Sequence, residues 1–347
     1  MENRTMRTMR RFGFLALSGL LLAVCSGTAR AAEAPRRVAL GIAVTPKNFP
    51  AHTPADVDEA FGMAKDLGEY AVFIYQWKEL DPAIPKLVVE KSRQAGLIPI
   101  VGVSPTTLDQ GRKELDLPAA VRQKAGPLVS FANPVIREAF KDAARELARL
   151  RPPYLCLATE INFLALQRLD EYLRFASLYK EAYREVKRIS PETAVFVSFQ
   201  WEWVRILDAK ELHRIKEHSK VIDIFRPELD VVGLTTYPSP FHASPAELPP
   251  DYYTWMSHHI RKTDEVLFME VGWPTTGTGS EEEQVTFIQR LPGLLQGINI
   301  SVVAWALLHD VGLAAFDENL NTVGLATRAG QRKKGYLAFE EWRRSPR

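Results

Sequence analysis

Cysteine is almost absent from the chain, which has two, Cys25 and Cys156, among 347 residues. Cys25 lies in an N-terminal segment that we expect to be removed, so Cys156 is left alone and no internal disulfide can form. An oxidising compartment permits disulfides without requiring them. Cys156 lies in an apolar, strand-like run, which predicts a buried side chain of hydrophobic character.

A charge excess of one sign is lacking as well. The chain has 44 lysines and arginines against 42 aspartates and glutamates, a formal net charge of +2. Residues 1–31 hold five arginines and one glutamate, so the remainder carries 39 basic and 41 acidic side chains, a net charge of −2. This balance gives no electrostatic footprint for nucleic acid or for an anionic membrane surface. We therefore expect no nucleic-acid partner.

Several catalytic motifs are missing from the sequence. There is no G-x-S-x-G, which disfavours a serine hydrolase, and no H-E-x-x-H. His213 and His218 are one residue too far apart for the related zinc motif H-x-x-E-H. A dinucleotide site would need a glycine-rich turn after the first strand, where residues 46–50 read Pro-Lys-Asn-Phe-Pro instead. We expect neither a metal nor a cofactor.

The N-terminus carries the pattern of an export signal. Four arginines precede residue 12, Phe12–Val24 is uncharged and mostly apolar, and Ala29–Ala31 is a small-x-small cleavage site. The apolar run is shorter than the roughly 20 residues that span a bilayer. We predict a signal peptide over residues 1–31 and a secreted or periplasmic protein. Two alternatives are an uncleaved anchor and a lipoprotein, since residues 22–25 resemble a lipobox that ends at Cys25.

Apolar, β-branched runs alternate with stretches of helical period along the rest of the chain. The predicted strands are Val38–Thr45, Tyr70–Gln76, Leu97–Val103, Tyr154–Ala158, Ala194–Phe199, Asp230–Thr235, Val266–Glu270 and Ile300–Leu307. They are apolar throughout, as parallel strands covered by helices are. Eight strand–helix units predict an α/β fold, a (β/α)8 TIM barrel, with residues 32–347 as a single catalytic domain. A doubly wound open sheet is the rival fold, and a monomer is expected.

Ala209–His218 and Asp251–Lys262 are predicted helices that follow the fifth and sixth strands. Ser104–Phe131 is polar and has no strong period, so we expect a loop that contributes to ligand binding.

Two carboxylates end otherwise apolar strands. Glu160 follows the fourth strand in Leu-Ala-Thr-Glu-Ile-Asn, and Glu270 ends the seventh in Leu-Phe-Met-Glu-Val-Gly-Trp-Pro. Active-site residues of a barrel lie at the C-terminal ends of its strands, and strands four and seven face each other across the mouth. A pair of carboxylates in one cleft is what cleavage of a glycosidic bond requires. The alternative is that each glutamate is an ordinary rim residue.

These strand ends resemble those of the retaining (β/α)8 glycoside hydrolases of clan A. Residues 267–277 resemble the nucleophile segment of plant-type β-1,3-glucanases, and residues 159–162 and 230–238 resemble segments of endo-β-1,4-galactanases. The resemblance implies that Glu160 is the general acid/base and Glu270 the nucleophile. It also implies that Tyr237 hydrogen-bonds the nucleophile and that Trp305 stacks on the sugar.

One position departs from the clan pattern. Clan members usually have asparagine just before the acid/base, where it holds the sugar 2-hydroxyl, and this chain has Thr159. Asn162, two residues after Glu160, is a candidate to compensate. Other polar and aromatic strand ends are candidate sugar contacts: Trp77, Gln200, Trp201 and Trp273.

The sequence therefore predicts a secreted retaining glycoside hydrolase that cleaves a β-linked polysaccharide or oligosaccharide by double displacement. Two further hypotheses stay open. One is a catalytically weak or inactive carbohydrate-binding barrel, and the other is a barrel enzyme of another reaction type, such as a lyase or a transglycosylase.

Overall fold

The computed structural model describes residues 38–109, 111–204, 221–258 and 260–345. The predicted signal peptide, Cys25 and the predicted helix Ala209–His218 lie outside these residues, so those predictions stay untested. The described residues from 38 onward belong to one compact unit.

Parallel strands form a sheet whose two edge segments are halves of one barrel strand. The strands are β1 (Ala39–Ala43), β2 (Tyr70–Gln76), β3 (Ile98–Ser104), β4 (Tyr154–Cys156), β5a (Ala194–Phe196), β5b (Ser198–Gln200), β6 (Val232–Thr236), β7 (Val266–Val271) and β8 (Ile300–Trp305). The order is β5a-β4-β3-β2-β1-β8-β7-β6-β5b. Only Val197 separates β5a, which pairs with β4, from β5b, which pairs with β6. Read as one interrupted strand, β5 closes the predicted eight-stranded barrel.

Helices fill the connections on the outside of the barrel. They are α1 (Pro54–Leu67), α2 (Ala83–Gln94), α3 (Ala119–Ala125), α4 (Pro134–Arg149), α5 (Asn162–Gln167), α6 (Leu169–Ile189), α7 (Glu281–Leu294), α8 (Glu318–Asn321) and α9 (Lys334–Arg344). Short 3-10 helices span Trp77–Glu79, Asp223–Phe225, Pro245–Glu247 and Thr254–His258. No helix of the described residues is long and apolar enough to cross a membrane.

Sequence signals at helix starts account for several of these bounds. The Thr53 hydroxyl accepts the Asp56 amide hydrogen and the Asp56 carboxylate accepts the Thr53 amide hydrogen, which is a capping box before Pro54. The Asn133 side chain caps α4 by accepting the Val135 amide hydrogen at 2.9 Å. Such caps pair amide groups that the helix itself leaves without partners.

Strand β7 carries a bulge next to its C-terminal end. Its register against β6 shifts, so that Leu234 pairs with Phe268 and Thr235 pairs with Glu270. Met269 is the extra residue, and its methyl group lies 2.8 Å from where a Cβ on Gly102 would stand. A bulge breaks the strict alternation of strand side chains and is common beside active sites. It therefore permits both Met269 and Glu270 to face the barrel interior.

Two predicted segments differ from the structure. Asp251–Lys262 contains the 3-10 helix Thr254–His258 rather than a long α-helix. Two adjacent buried tyrosines explain this difference. The Tyr252 hydroxyl donates to Glu202 and the Tyr253 hydroxyl hydrogen-bonds Thr236. These tertiary contacts override the local helix propensity of the segment. Ser104–Phe131 contains the short helix α3 as well as a loop.

Candidate active site

Glu160 follows β4 in a backbone conformation that side-chained residues rarely adopt, with φ at 50°. Its amide hydrogen is donated to Ser198 Oγ at 3.0 Å, which holds this conformation. The carboxylate accepts two more hydrogen bonds, from Arg112 Nε to Oε2 and from Thr235 Oγ1 to Oε1, both at 2.7 Å. Strained residues cluster at functional sites because the surrounding structure must hold them there. Glu160 is thus a buried, fixed carboxylate at the barrel mouth.

Arg112 reaches Glu160 from a strap, which we define as residues 105–109 and 111–116. The strap folds back on itself through an antiparallel bridge between Thr106 and Leu115. At its tip Asp109 Oδ1 accepts the amide hydrogens of Gly111 at 3.0 Å and Arg112 at 2.7 Å. Arg112 itself has φ at 42°. The strap thus fixes a guanidinium beside the candidate acid/base.

Glu270 comes from the bulged end of β7 and is partly buried. The Tyr237 hydroxyl donates to its Oε2 at 2.5 Å, so the predicted contact between these two residues is present. Loss of hydration and repulsion by Glu160 raise the pKa of Glu270 to about 7, although Tyr237 and the Arg112 charge act in the opposite direction. The interaction with Glu160 places both carboxylates in one site.

Thr235 lies between the two carboxylates. It pairs with Glu270 in the β6–β7 register, and its hydroxyl donates to Glu160. Hydrogen bonds and a cation favour the charged form of a carboxylate, whereas burial favours the neutral form. Burial and the nearby Glu160 therefore favour the neutral form of Glu270, while the Tyr237 hydrogen bond and the Arg112 charge favour its ionised form.

The four tryptophans predicted to bind sugar do not face the site. They are buried, with exposures of 2% for Trp77 and 0% for Trp201, Trp273 and Trp305. Trp305 packs against Phe287 of α7 and Phe339 of α9. Their burial has one cause: an outward-facing strand end is covered by a helix, and aromatic rings supply much of that buried area.

The other tryptophans follow the same pattern. Trp273 also contacts Phe287, and Trp201 contacts Trp255. Trp77 lies edge-on to Phe140 of α4 and lines a groove between α2 and α4 on the outside of the barrel. None of these rings presents a free face to a sugar in this structure.

The side chains of Asn162 and Gln200 form their hydrogen bonds within the protein. The Asn162 amide bonds the Gln200 backbone twice, donating to its oxygen at 3.0 Å and accepting from its nitrogen at 2.8 Å. The Gln200 side chain donates to Glu202 at 2.6 Å and accepts from the Trp203 amide at 2.9 Å. The role of Asn162 as a substitute for the clan asparagine stays a prediction. Thr159 stays a candidate, since its buried hydroxyl has no hydrogen-bond partner among the described residues.

Sequence reasoning missed three residues of this site: Arg112, Thr235 and Glu202. Arg112 belongs to the polar stretch that we expected to contribute to binding, but nothing in that stretch distinguishes it from its neighbours. Thr235 ends an apolar strand, which was a usable signal. Glu202 lies at a strand end beside Trp201, in a segment without clear periodicity. Among the described residues, no group of three or more His, Cys, Asp or Glu side chains could hold a metal ion.

Comparison with known proteins identifies the fold. No family model matches the chain, and no curated protein sequence matches it. An exo-β-1,4-mannosidase from Opitutaceae bacterium strain TAV5 has a TM-score of 0.66 at 15% identity, over 88% of this chain and 59% of that one. A GH5_18 protein from Streptomyces cattleya, in complex with GlcNAc, has a TM-score of 0.70 at 17% identity, over 90% of this chain and 82% of that one.

A third solved structure has another family name. A family 39 glycoside hydrolase from Bacteroides cellulosilyticus WH2 has a TM-score of 0.56 at 16% identity, over 87% of this chain and 62% of that one. The architecture of this chain is therefore the (β/α)8 barrel that glycoside hydrolases of clan A share.

Proposed function

We propose that this protein is a retaining glycoside hydrolase that acts on a β-linked oligosaccharide or polysaccharide. The observation that carries the proposal is the pair Glu160 and Glu270, which meet at the C-terminal ends of β4 and β7 on either side of Thr235. The solved structures of the same fold include a β-mannosidase and a β-glucuronidase, which supports a β-linked substrate.

We infer that the reaction is a double displacement. Glu270 Oε attacks the anomeric carbon, the bond to the leaving oxygen breaks, and Glu160 gives that oxygen its proton. Glu160 then takes a proton from water, whose oxygen attacks the anomeric carbon and releases Glu270. Tyr237 donates to Glu270 throughout and stabilises its charged form.

Arg112 and Thr235 both donate to Glu160, which must carry a proton when the leaving group departs. The Arg112 charge also lowers the pKa of Glu270 and so favours the ionised form that a nucleophile needs. One guanidinium thus acts on both carboxylates of the proposed cycle.

Hydrolysis assays test the proposal directly. The panel contains 4-nitrophenyl β-mannoside, β-glucuronide, β-galactoside and β-glucoside, together with β-1,4-mannan, β-1,4-galactan and β-1,3-glucan. Wild type should release nitrophenol or reducing sugar from at least one, and Glu160→Gln and Glu270→Gln should lose at least about 1,000-fold in rate. Proton NMR of the first product should show retained anomeric configuration.

Two outcomes would favour the other hypotheses. If wild type and both variants are equally inert but one glycan binds, the protein is a carbohydrate-binding barrel. If an unsaturated or transferred product forms instead of a hydrolysed one, the same carboxylates serve a lyase or a transglycosylase.

We also propose that residues 1–31 are a cleaved signal peptide and that the enzyme meets its substrate outside the cytoplasm. Expression of the full chain in a Gram-negative host should give a periplasmic or secreted protein whose intact mass begins at Ala32. A mass that instead begins at a lipidated Cys25 would establish a lipoprotein, and an intact N-terminus would establish an uncleaved anchor.

A further inference from the structure

Glu202 is a buried carboxylate that the catalytic cycle above does not use. It is 3% exposed and follows β5b. Four neutral groups donate to it: Gln200 Nε2 at 2.6 Å, Thr236 Oγ1 at 2.6 Å, Tyr252 OH at 2.9 Å and the Tyr237 amide at 3.2 Å. Burial raises the pKa of Glu202, so these donors offset an unfavourable environment for its charge. We therefore expect a carboxylate buried at such a cost to have a specific role.

Tyr237 connects this carboxylate to the candidate nucleophile. Its amide donates to Glu202 Oε2, while its hydroxyl donates to Glu270 Oε2. Gly272 limits the ring from another side, because a Cβ at that position would lie 2.6 Å from Tyr237 Cε1. Two features therefore fix Tyr237: Glu202 accepts its backbone amide hydrogen, and Gly272 packs against its ring, where a larger residue would not fit.

We propose that Glu202 is a positioning residue, which fixes the Tyr237 hydroxyl on Glu270 by accepting the Tyr237 amide hydrogen. The kinetic consequences rest on the proposed function, whereas the structural link does not. The acceptor oxygen matters here rather than the charge, since all four partners are neutral donors.

Two substitutions at Glu202 distinguish the role of its acceptor oxygen from that of its negative charge. Glu202→Met removes both oxygens and leaves the Tyr237 amide unpaired, so kcat on the 4-nitrophenyl glycoside that wild type hydrolyses should fall about 10-fold with KM nearly unchanged. Glu202→Gln keeps one oxygen for the amide, because the Thr236 and Tyr252 hydroxyls can turn to accept from the new NH2. It should retain at least half of the wild-type kcat.

A double-mutant cycle tests whether Glu202 acts through Tyr237. Tyr237→Phe removes the hydroxyl, so adding Glu202→Met to it should cost little further activity. Glu171→Met is the matched control, since Glu171 is a buried carboxylate in α6 that accepts from Ser130 Oγ at 2.7 Å and the Phe131 amide at 2.8 Å. It should lower stability while leaving kcat unchanged. Additive losses for Glu202→Met and Tyr237→Phe would overturn the proposal.

Carbon-13 NMR of labelled glutamate gives a readout that needs no catalysis. The Glu270 resonance, assigned by its loss in Glu270→Gln, should titrate near pH 7 in wild type. The groups that interact with Glu270 are Glu160, Arg112, Tyr237 and Cys156. Loss of the Tyr237 hydrogen bond in Tyr237→Phe or Glu202→Met should move the midpoint upward by about one pH unit. An unchanged midpoint in Glu202→Met would overturn the positioning role, even if wild type hydrolyses nothing.

If Glu202→Met does not fold, Gly272→Ala is a second variant that should displace the Tyr237 hydroxyl from Glu270. The added Cβ displaces the Tyr237 ring without touching Glu202. It should reproduce the raised Glu270 midpoint and the reduced kcat. Wild-type values for both in a folded Gly272→Ala protein would contradict the proposed dependence on ring position.

Discussion

The charge on Glu270 is costly in the free protein, because the environment that raises its pKa to about 7 also opposes its role as nucleophile. The glutamate must be ionised to attack, so kcat/KM should fall as the pH drops through about 7. Arg112 opposes this by lowering the Glu270 pKa. The Glu270 pKa, raised by its environment and lowered by Arg112, therefore sets the lower pH limit that we expect for kcat/KM.

Arg112→Met should move the acid limb of the kcat/KM profile to higher pH, because the cation that favours ionised Glu270 is lost. Activity near pH 6.5 should fall about 10-fold, as a displacement of one pH unit gives, and recover in part near pH 9. Arg112→Lys keeps the charge and serves as the control, with an acid limb close to that of wild type. An unmoved limb in Arg112→Met would show that Arg112 acts on Glu160 alone.

Glu270→Gln should stabilise the protein in a defined pH window. The folded-state pKa of about 7 exceeds the ordinary value of 4.5, so the folded protein holds a proton that the unfolded chain releases. Wild type therefore loses stability as the pH rises from 4.5 to 7, and the glutamine variant does not. The Tm advantage of the variant should grow across this window, by about 2–4 °C for each kcal/mol.

Glu171→Gln is the control of opposite sign for this experiment. Hydrogen bonds from Ser130 and Phe131 and the Arg174 charge lower the Glu171 pKa, although burial acts against them. Its contribution to stability is present above pH 4.5 and is lost as the pH falls. The Tm deficit of Glu171→Gln should therefore shrink in acid. Parallel Tm curves for Glu270→Gln and wild type between pH 4.5 and 7 would contradict the raised pKa.

At the scale of elements, the strap matters most for the site, because it carries the only cation that pairs with Glu160 among the described residues. Its tip is organised by Asp109, which accepts from the Thr107 hydroxyl at 2.9 Å as well as from two amides. Residues with φ above zero need such fixing, since their backbone is strained. Asp109 therefore prepares Arg112 for its contact with Glu160.

Asp109→Ala should loosen the strap and weaken substrate turnover without much loss of stability. We expect kcat/KM to fall about fivefold, in the same pH-dependent manner as in Arg112→Met, while Tm changes by less than about 2 °C for an exposed loop. Thr53→Ala is a useful comparison, because it removes a helix cap far along the chain and costs about 1 kcal/mol of stability. A kinetic loss in Thr53→Ala equal to that in Asp109→Ala would argue against a specific role of the strap.

Elements with a strong local signal could be predicted from sequence, and those set by tertiary contact could not. Pro54–Leu67 begins at a capping box, and Leu169–Ile189 follows a helical period, so both rest on local signals. The bulge in β7 has no local signature, since it depends on pairing with β6 and β8. The same holds for Arg112, whose partner lies 48 positions away. Strand ends pointed to Glu160 and Glu270, and the clan resemblance pointed to Tyr237, but strand ends could not tell an inward side chain from an outward tryptophan.

At the scale of the whole molecule, a buried ion pair joins the last barrel strands to the C-terminal segment. Lys333, which precedes α9, is 5% exposed, and its Nζ contacts Asp310 Oδ1 at 2.6 Å, Thr275 Oγ1 at 2.7 Å and the Thr322 carbonyl at 3.1 Å. Asp310 also accepts the Gly324 amide hydrogen at 3.0 Å. Segments after β7 and β8 are thus held together beside α9, which packs on α7 and α1.

Lys333→Met should therefore destabilise the barrel strongly, because it leaves Asp310 buried without its cation. Breaking such a pair costs about 3–5 kcal/mol, which corresponds to a Tm decrease of roughly 10 °C. Adding Asp310→Asn should recover part of the loss by removing the unpaired charge. Lys334→Met, one residue along, breaks only an exposed pair with Glu282 and should leave the Tm close to that of wild type. Equal Tm values for Lys333→Met and Lys334→Met, measured by calorimetry at pH 7, would show that the buried pair does not hold the barrel's last segments together.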